Sequence, residues 1–147
     1  MNETILANIL TMMKDTSFSE SFFESVLQRL VSFGYELKED DSWGLCFAIQ
    51  KVENHIKNSC NITSVPEGLF NVAVDMVCGE YLLTKKQTGQ LVLADLDLGT
   101  VVTSIKEGDT QVNLEGGTSD EVVFTSFLNQ LIHGGEGDFV CYRKMQW

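Results

Sequence analysis

The sequence predicts a mainly α-helical domain: a small helical bundle with a β-hairpin inserted before the last helix and an extended C-terminal arm. Three observations predict this class. Apolar residues recur at helical spacing in five segments, one stretch after Gln90 mixes β-branched residues with turn signals, and a glycine-rich break precedes an aromatic and basic ending. At 147 residues, the chain is expected to form a single domain over 1–147.

The first three helices follow from their apolar seams. Residues 1–15 carry a short helix that is expected to end near Asp15 to Ser17, and Ser19 caps a second helix that closes at Gly34. Asp40 and the residues after it cap a third helix, because carboxylates favour a helix N-terminus. Its core-facing seam consists of Leu45, Ile49, Val52 and Ile56.

A long fourth helix is predicted from Glu67 to about Thr84, with Pro66 near its first turn. Apolar residues occupy more than one of its faces, which indicates a central position. Gly79 lies inside it, and we expect a neighbouring helix to approach closely there. Helices three and four are predicted to pack as an antiparallel pair.

The stretch after Gln90 has a different pattern. Val101, Thr103 and Ile105 alternate with Val102 and Ser104, and an EGD turn leads to a second extended run that ends near Gly117. This predicts a β-hairpin. Thr118 or Ser119 then caps a last helix, which closes at His133 and Gly134.

The closing segment 134–147 begins with Gly134, Gly135 and Gly137, which we interpret as a hinge. Chain ends fray unless something holds them, and aromatic residues and Arg are the types that anchor interfaces. The segment therefore either packs on its own core or docks on another protein. The residues expected to bind a partner as an arm are Phe139, Tyr142, Arg143 and Trp147.

The net charge of −11, from ten basic and 21 acidic residues, disfavours a protein that grips nucleic acid or an anionic membrane. The first residues do not have the pattern of a secretory signal, and the apolar runs are too short for a membrane span. Cys46, Cys60, Cys78 and Cys141 form no CxxC pair and are expected to be reduced thiols.

No motif in the sequence supplies a nucleophile with its base, paired carboxylates or metal ligands at a recognised spacing. We therefore expect no enzymatic activity, no cofactor and no metal. One enzymatic hypothesis stays open: a cysteine nucleophile, which would need a lowered thiol pKa and a nearby base.

Three segments carry a resemblance to a known family: Ala48 to Leu82, the acidic loop and hairpin after it, and the closing YRKMQW. Together they resemble the small head-tail connector (adaptor) proteins of tailed phages and of prophages in Gram-positive bacteria. In that family a helix with a polar, asparagine-containing end leads into a Val-Pro-Glu-Gly-Leu type of step, and an aromatic-Arg pair precedes a tryptophan. The matching step here consists of Val65, Pro66, Glu67, Gly68 and Leu69, and the ending of Tyr142, Arg143 and Trp147.

The resemblance implies a structural role in the neck of the virion, with the protein in the host cytoplasm during assembly. It implies a ring of about twelve copies with cyclic symmetry below the portal protein. The ring would extend the DNA channel and dock the stopper or tail-completion protein, and the C-terminal arm would reach toward the portal. DNA would pass through without specific binding, and the Val65 to Leu69 step would serve a subunit interface or the family fold. The chain departs from shorter members by its N-terminal helix, 1–15, and by the insertion around 101–117.

A second hypothesis is an acidic cytosolic adaptor or regulator that binds a single host protein through the same C-terminal arm. The two hypotheses differ in stoichiometry. The connector joins a ring, whereas the adaptor makes a one-to-one complex.

Overall fold

The computed structural model describes residues 2–14, 16–89 and 120–143. Within these ranges the chain is mainly helical, as predicted, with two short 3-10 helices, Glu67–Leu69 and Glu136–Cys141. The α-helices are α1 (Asn2–Met12), α2 (Glu20–Ser32), α3 (Asp41–Cys60), α4 (Phe70–Gln87) and α5 (Asp120–His133). The predicted hairpin at 101–114 lies outside the described residues.

Helix α4 is the centre of the bundle, in agreement with its apolar residues on several faces. It packs against α2, α3 and α5, while α1 packs against α2 and α3. The start of α3 lies beside the end of α4, where Lys85 Nζ is 3.2 Å from Asp41 Oδ1. A second ion pair joins a later residue of α3 to an earlier residue of α4, because Lys51 Nζ is 3.1 Å from Glu80 Oε2. The predicted antiparallel pairing of these helices is therefore confirmed.

The N-terminal helix belongs to the core. Ile5 and Ile9 of α1 have no exposed surface, and Asn8 donates a hydrogen bond to the Ser42 hydroxyl at 3.3 Å. The connection from α1 to α2 is fixed from α3, because the buried Glu53 carboxylate accepts a hydrogen bond from the Thr16 hydroxyl at 2.6 Å. Residues 2–14, interpreted from the sequence as part of an extension, are thus integral to the folded body.

Gly79 lies where α4 and α5 approach each other closely. A Cβ atom at this position would lie 2.8 Å from Ile132 Cγ1 and 2.9 Å from Leu131 Cβ. The expectation of a close neighbouring helix at Gly79 is confirmed. The predicted end of α2 is also confirmed, since Gly34 follows it with a φ of +86°.

The start of the fourth helix differs from the prediction. The segment from Glu67 to Leu69 is a separate 3-10 turn, and the α-helix begins at Phe70. Pro66 precedes the turn with a φ of −68°, and Asn61 ends α3 in the left-handed region with a φ of +57°. Asn tolerates that conformation better than most residues, so α3 can stop there and let the chain turn back toward α4.

Candidate interaction surface

The closing segment folds back onto the body as far as the structure describes it. The 3-10 helix Glu136–Cys141 packs against α3, and Phe139 is only 2% exposed. The Phe139 ring lies 6.1 Å from the His55 ring, and the Cys60 thiol donates to the Phe139 carbonyl oxygen at 3.7 Å. Phe139 therefore belongs to the core of its own chain, and the expectation that it is free to anchor a partner is corrected.

The glycines that begin this segment serve packing in this conformation. A Cβ atom at Gly135 would lie 2.6 Å from Val72 Cγ1, and one at Gly134 would lie 2.5 Å from the Gln130 carbonyl oxygen. Gly137 has open space around it. Because Gly135 lies against Val72 of α4 and Gly134 against the last turn of α5, the hinge interpretation is corrected for these two glycines to a close-packed turn.

Tyr142 and Arg143 continue the same attachment. The half-buried Tyr142 side chain lies over Gly68, where an added Cβ atom would overlap the tyrosine hydroxyl. Arg143 Nε donates a hydrogen bond to the Ser59 carbonyl oxygen at 3.0 Å, in the last turn of α3. The fourth residue expected in the arm, Trp147, lies outside the described residues.

The Val65 to Leu69 step is held in place by its two buried apolar residues and by a hydrogen bond. Val65 and Leu69 are 5% and 0% exposed, and the Val65 backbone N–H donates to the Ser17 hydroxyl at 3.3 Å. Glu67 and Gly68 lie at the surface. The step is thus a surface turn with two apolar residues in the core, and Tyr142 covers its glycine.

A carboxylate and two imidazoles join the closing segment to two helices. Glu136 Oε1 lies 3.4 Å from His55 Nε2 on α3 and 3.1 Å from His133 Nδ1 at the end of α5. All three side chains are partly exposed, and exposed pairs of this kind stabilise a fold by no more than about 1 kcal/mol. Apolar packing of Phe139 is therefore the main attachment of the segment.

A buried polar network lies where α3 begins. Asp41, which is 1% exposed, accepts hydrogen bonds from the Tyr81 hydroxyl, from the Tyr35 hydroxyl at 3.1 Å and from the Lys38 backbone N–H at 2.8 Å. Lys85 completes the set as an ion pair. Burial and hydrogen bonding to Asp41 raise the pKa of Tyr81, and burial raises the pKa of Tyr35 to about 12. The sequence predicted a helix cap here, and it missed the network because the two tyrosines lie on other elements.

An aromatic groove lies beside this network, between α3 and α4. Trp43 and Phe47 are 77% and 67% exposed, which makes them the most exposed aromatic side chains of the described part of the chain. They line a groove of about 390 Å³ whose floor includes Gly44 and Tyr81. Sequence reasoning named only the Leu45 seam of α3. The available signal was two aromatic residues four positions apart and off that seam, which places them on one outward face.

The buried thiols do not have the properties of nucleophiles. Cys46, Cys60 and Cys78 are buried, and burial raises the pKa of each thiol. A nucleophilic cysteine requires the opposite shift. In the ranges 2–14, 16–89 and 120–143, no group of three or more His, Cys, Asp or Glu residues could hold a metal ion.

No family model, curated protein or solved structure matches the chain. Among the described helices, none combines the length and the apolar character needed to cross a membrane. Function is therefore inferred from the residues and contacts of the chain itself.

Proposed function

We propose that this chain is a non-enzymatic structural protein of a tailed phage or prophage: a head-tail connector that joins a ring below the portal. The observation that carries the proposal is the contact between Gly68 and Tyr142. Gly68 belongs to the Val65–Leu69 step, and Tyr142 to the closing YRKMQW, so two separate segments that carry the family resemblance meet at one place in the fold.

The contact gives a physical reason for finding both segments in the same chain. Tyr142 can lie over the start of α4 only if residue 68 lacks a side chain, and Arg143 then reaches the end of α3 at Ser59. A glycine in this step and an aromatic-Arg pair near the end of the chain therefore form one structural unit. Such a unit requires both motifs to be present in the same chain.

A ring also needs apolar surface for contacts between copies. Helix α4 does not supply it, because its apolar residues are used inside the molecule, with Met76, Val77 and Leu82 no more than 2% exposed. The exposed aromatic surface is instead on α3, at Trp43 and Phe47. Aromatic residues are enriched in protein interfaces, so this surface is the candidate for contacts between copies.

The charge of the chain agrees with a channel role. A net charge of −11 repels the phosphate backbone, which favours passage of DNA over binding. The partners in this proposal are further copies of the chain, the portal protein, and a stopper or tail-completion protein.

The test is the molar mass of the full-length protein, alone and mixed with rings of the portal protein from the same phage or prophage genome. Size-exclusion chromatography with light scattering gives both masses. The proposal predicts a multi-subunit ring, alone or on the portal. A chain that stays monomeric and ignores portal rings would contradict it, and a one-to-one complex with a host protein would favour the adaptor hypothesis.

A further inference from the structure

The groove between α3 and α4 has a floor that is fixed before anything enters it. Its floor residue Tyr81 is 2% exposed and is held by the hydrogen bond to buried Asp41. Gly44 allows the Tyr81 ring to come close to α3, because a Cβ atom at Gly44 would lie 3.0 Å from Tyr81 Cε1. Because this floor is already formed, it adds little to the entropy cost of binding a ligand.

The charges around the groove are largely compensated within the molecule. Lys51 pairs with Glu80 at 3.1 Å, and Lys85 pairs with Asp41 at 3.2 Å. The exposed walls are the aromatic faces of Trp43 and Phe47, one helical turn apart. The groove therefore suits a short segment that is mainly apolar or aromatic, with at most one cation to meet Asp40 at its edge.

The chain itself carries a segment of this chemistry. Lys144 is followed by Met145, Gln146 and Trp147, so one cation precedes three uncharged residues that end in an indole ring. The residue before this segment, Arg143, is attached to Ser59 at the end of α3. The volume of the groove, about 390 Å³, lies in the range of sites that hold a small aromatic group.

Within one molecule this segment begins far from the Trp43 end of the groove. Trp43 and Ser59 lie at opposite ends of α3, 16 positions apart, which is about 24 Å at 1.5 Å per residue. Residues 144–147 span at most about 14 Å when fully extended. Lys51, at the near edge of the groove, is eight positions from Ser59, about 12 Å, so the segment of the same copy reaches only that edge, whereas a second copy can place its segment along the whole groove.

We propose that residues 144–147 of one copy bind in the Trp43–Phe47 groove of a second copy. The segment and the groove are different surfaces, so the contact is head-to-tail, and only a reciprocal exchange between two copies would close it as a dimer. Contacts of this kind repeat from copy to copy and close into a ring when the rotation permits. This inference rests on the proposed function for the closure of the ring, and it names the surface through which the copies meet.

The test uses the full chain with the photoreactive residue p-benzoylphenylalanine in place of Trp147. Copies labelled with ¹⁴N and ¹⁵N are mixed at high concentration, irradiated and analysed by mass spectrometry. The inference predicts cross-links to the peptide that contains Trp43 and Phe47, including pairs of mixed isotope. Cross-links confined to single copies, cross-links to other surfaces, or none at all would overturn it.

Two variants and a control sharpen the result. Trp43→Ala and Phe47→Ala should each lower the yield of that cross-link at least about tenfold, because central aromatic anchors carry most of the binding energy of small interfaces. Val31→Ala, at a residue of α2 that is 48% exposed and outside the groove, should leave the yield unchanged. Equal yields in all three variants would refute the groove as the docking site.

The portal experiment separates this inference from the proposed function. A ring or portal complex that forms without the Trp147 cross-link would overturn the inference and leave the connector proposal standing. The cross-link without any portal complex or ring would support head-to-tail contact and contradict the connector proposal.

Discussion

Replacing Phe139 by alanine tests whether the closing segment is part of the folded body. The side chain is 2% exposed and packs beside the His55 ring, while the Cys60 thiol bonds its carbonyl group. Loss of a buried phenylalanine costs about 3–5 kcal/mol, and we expect the lower end, about 3 kcal/mol, because a short surface helix can settle into the space left behind. The main-chain bond to Cys60 does not depend on the side chain and would survive.

The assay is urea unfolding followed by far-ultraviolet circular dichroism, with an unchanged slope expected for a pure loss of stability. Val140→Ala is the matched control, because Val140 is the next residue along the chain and is 67% exposed. Its cost should stay within about 0.5 kcal/mol. If Phe139→Ala cost no more than Val140→Ala, the segment would not be docked on the core, and the loose-arm interpretation would return.

Three further perturbations test particular contacts. Gly68→Ala should cost about 1–3 kcal/mol because its Cβ would displace Tyr142, and Tyr142→Phe in the same chain should recover part of that loss in a double-mutant cycle. Gly79→Ala should also destabilise by about 1–3 kcal/mol against the neighbouring helix, in spite of the roughly 1 kcal/mol that alanine gains in an isolated helix. Stability should fall as the pH rises from about 10 to about 12, because the unfolded state loses the Tyr35 proton near 10 while the folded state holds it to about 12. Urea midpoints of the wild type and of Tyr35→Phe measure this fall, which should be smaller in the variant.

The two glycine substitutions share one control, and each of the three predictions has its own contradicting result. Gly137→Ala meets no atom within 4 Å and should change the urea midpoint little. A Gly79→Ala variant as stable as Gly137→Ala would show that α5 does not approach α4 closely. An equal alkaline fall in wild type and Tyr35→Phe would show that this tyrosine does not couple folding to pH, and additive costs for Gly68→Ala and Tyr142→Phe would deny their contact.

The helices could be predicted from the sequence because each has its own local signal. The seam Leu45, Ile49, Val52 and Ile56 is buried along α3, and Gly34 has the positive φ expected at the end of α2. Gly79 was predicted from the cost of glycine in a helix, since only a close neighbour compensates for it. Such signals lie within one or two turns of chain, so a single sequence contains them.

The candidate surfaces depend on contacts between distant residues, which a single sequence does not reveal. The attachment of Phe139 depends on Cys60 and His55, some eighty positions earlier in the chain. Asp41 was predicted only as a helix cap. Its tyrosine partners lie in the connection before α3 and on α4, so the sequence around Asp41 does not reveal them. In both cases the residue type suits two roles, contact with a partner or a helix end on the one hand and burial in the core on the other. Only the packing of the folded chain decides which role the residue has.

The aromatic groove was missed for a different reason. Periodicity identifies the residues of a helix that face inward, and it treats the others as solvated. Trp43 and Phe47 lie off the inward seam and are exposed, so they pass as surface residues unless their type is considered. Large aromatic residues outside a seam are therefore a signal of contact with another molecule.

The most direct test of the proposed connector role is electron microscopy of the full-length chain mixed with portal rings from the same genome. The proposal predicts added density that is coaxial with the portal and has closed cyclic symmetry, with about twelve copies in the ring. Portal rings without added density, or with single copies bound away from the axis, would contradict it.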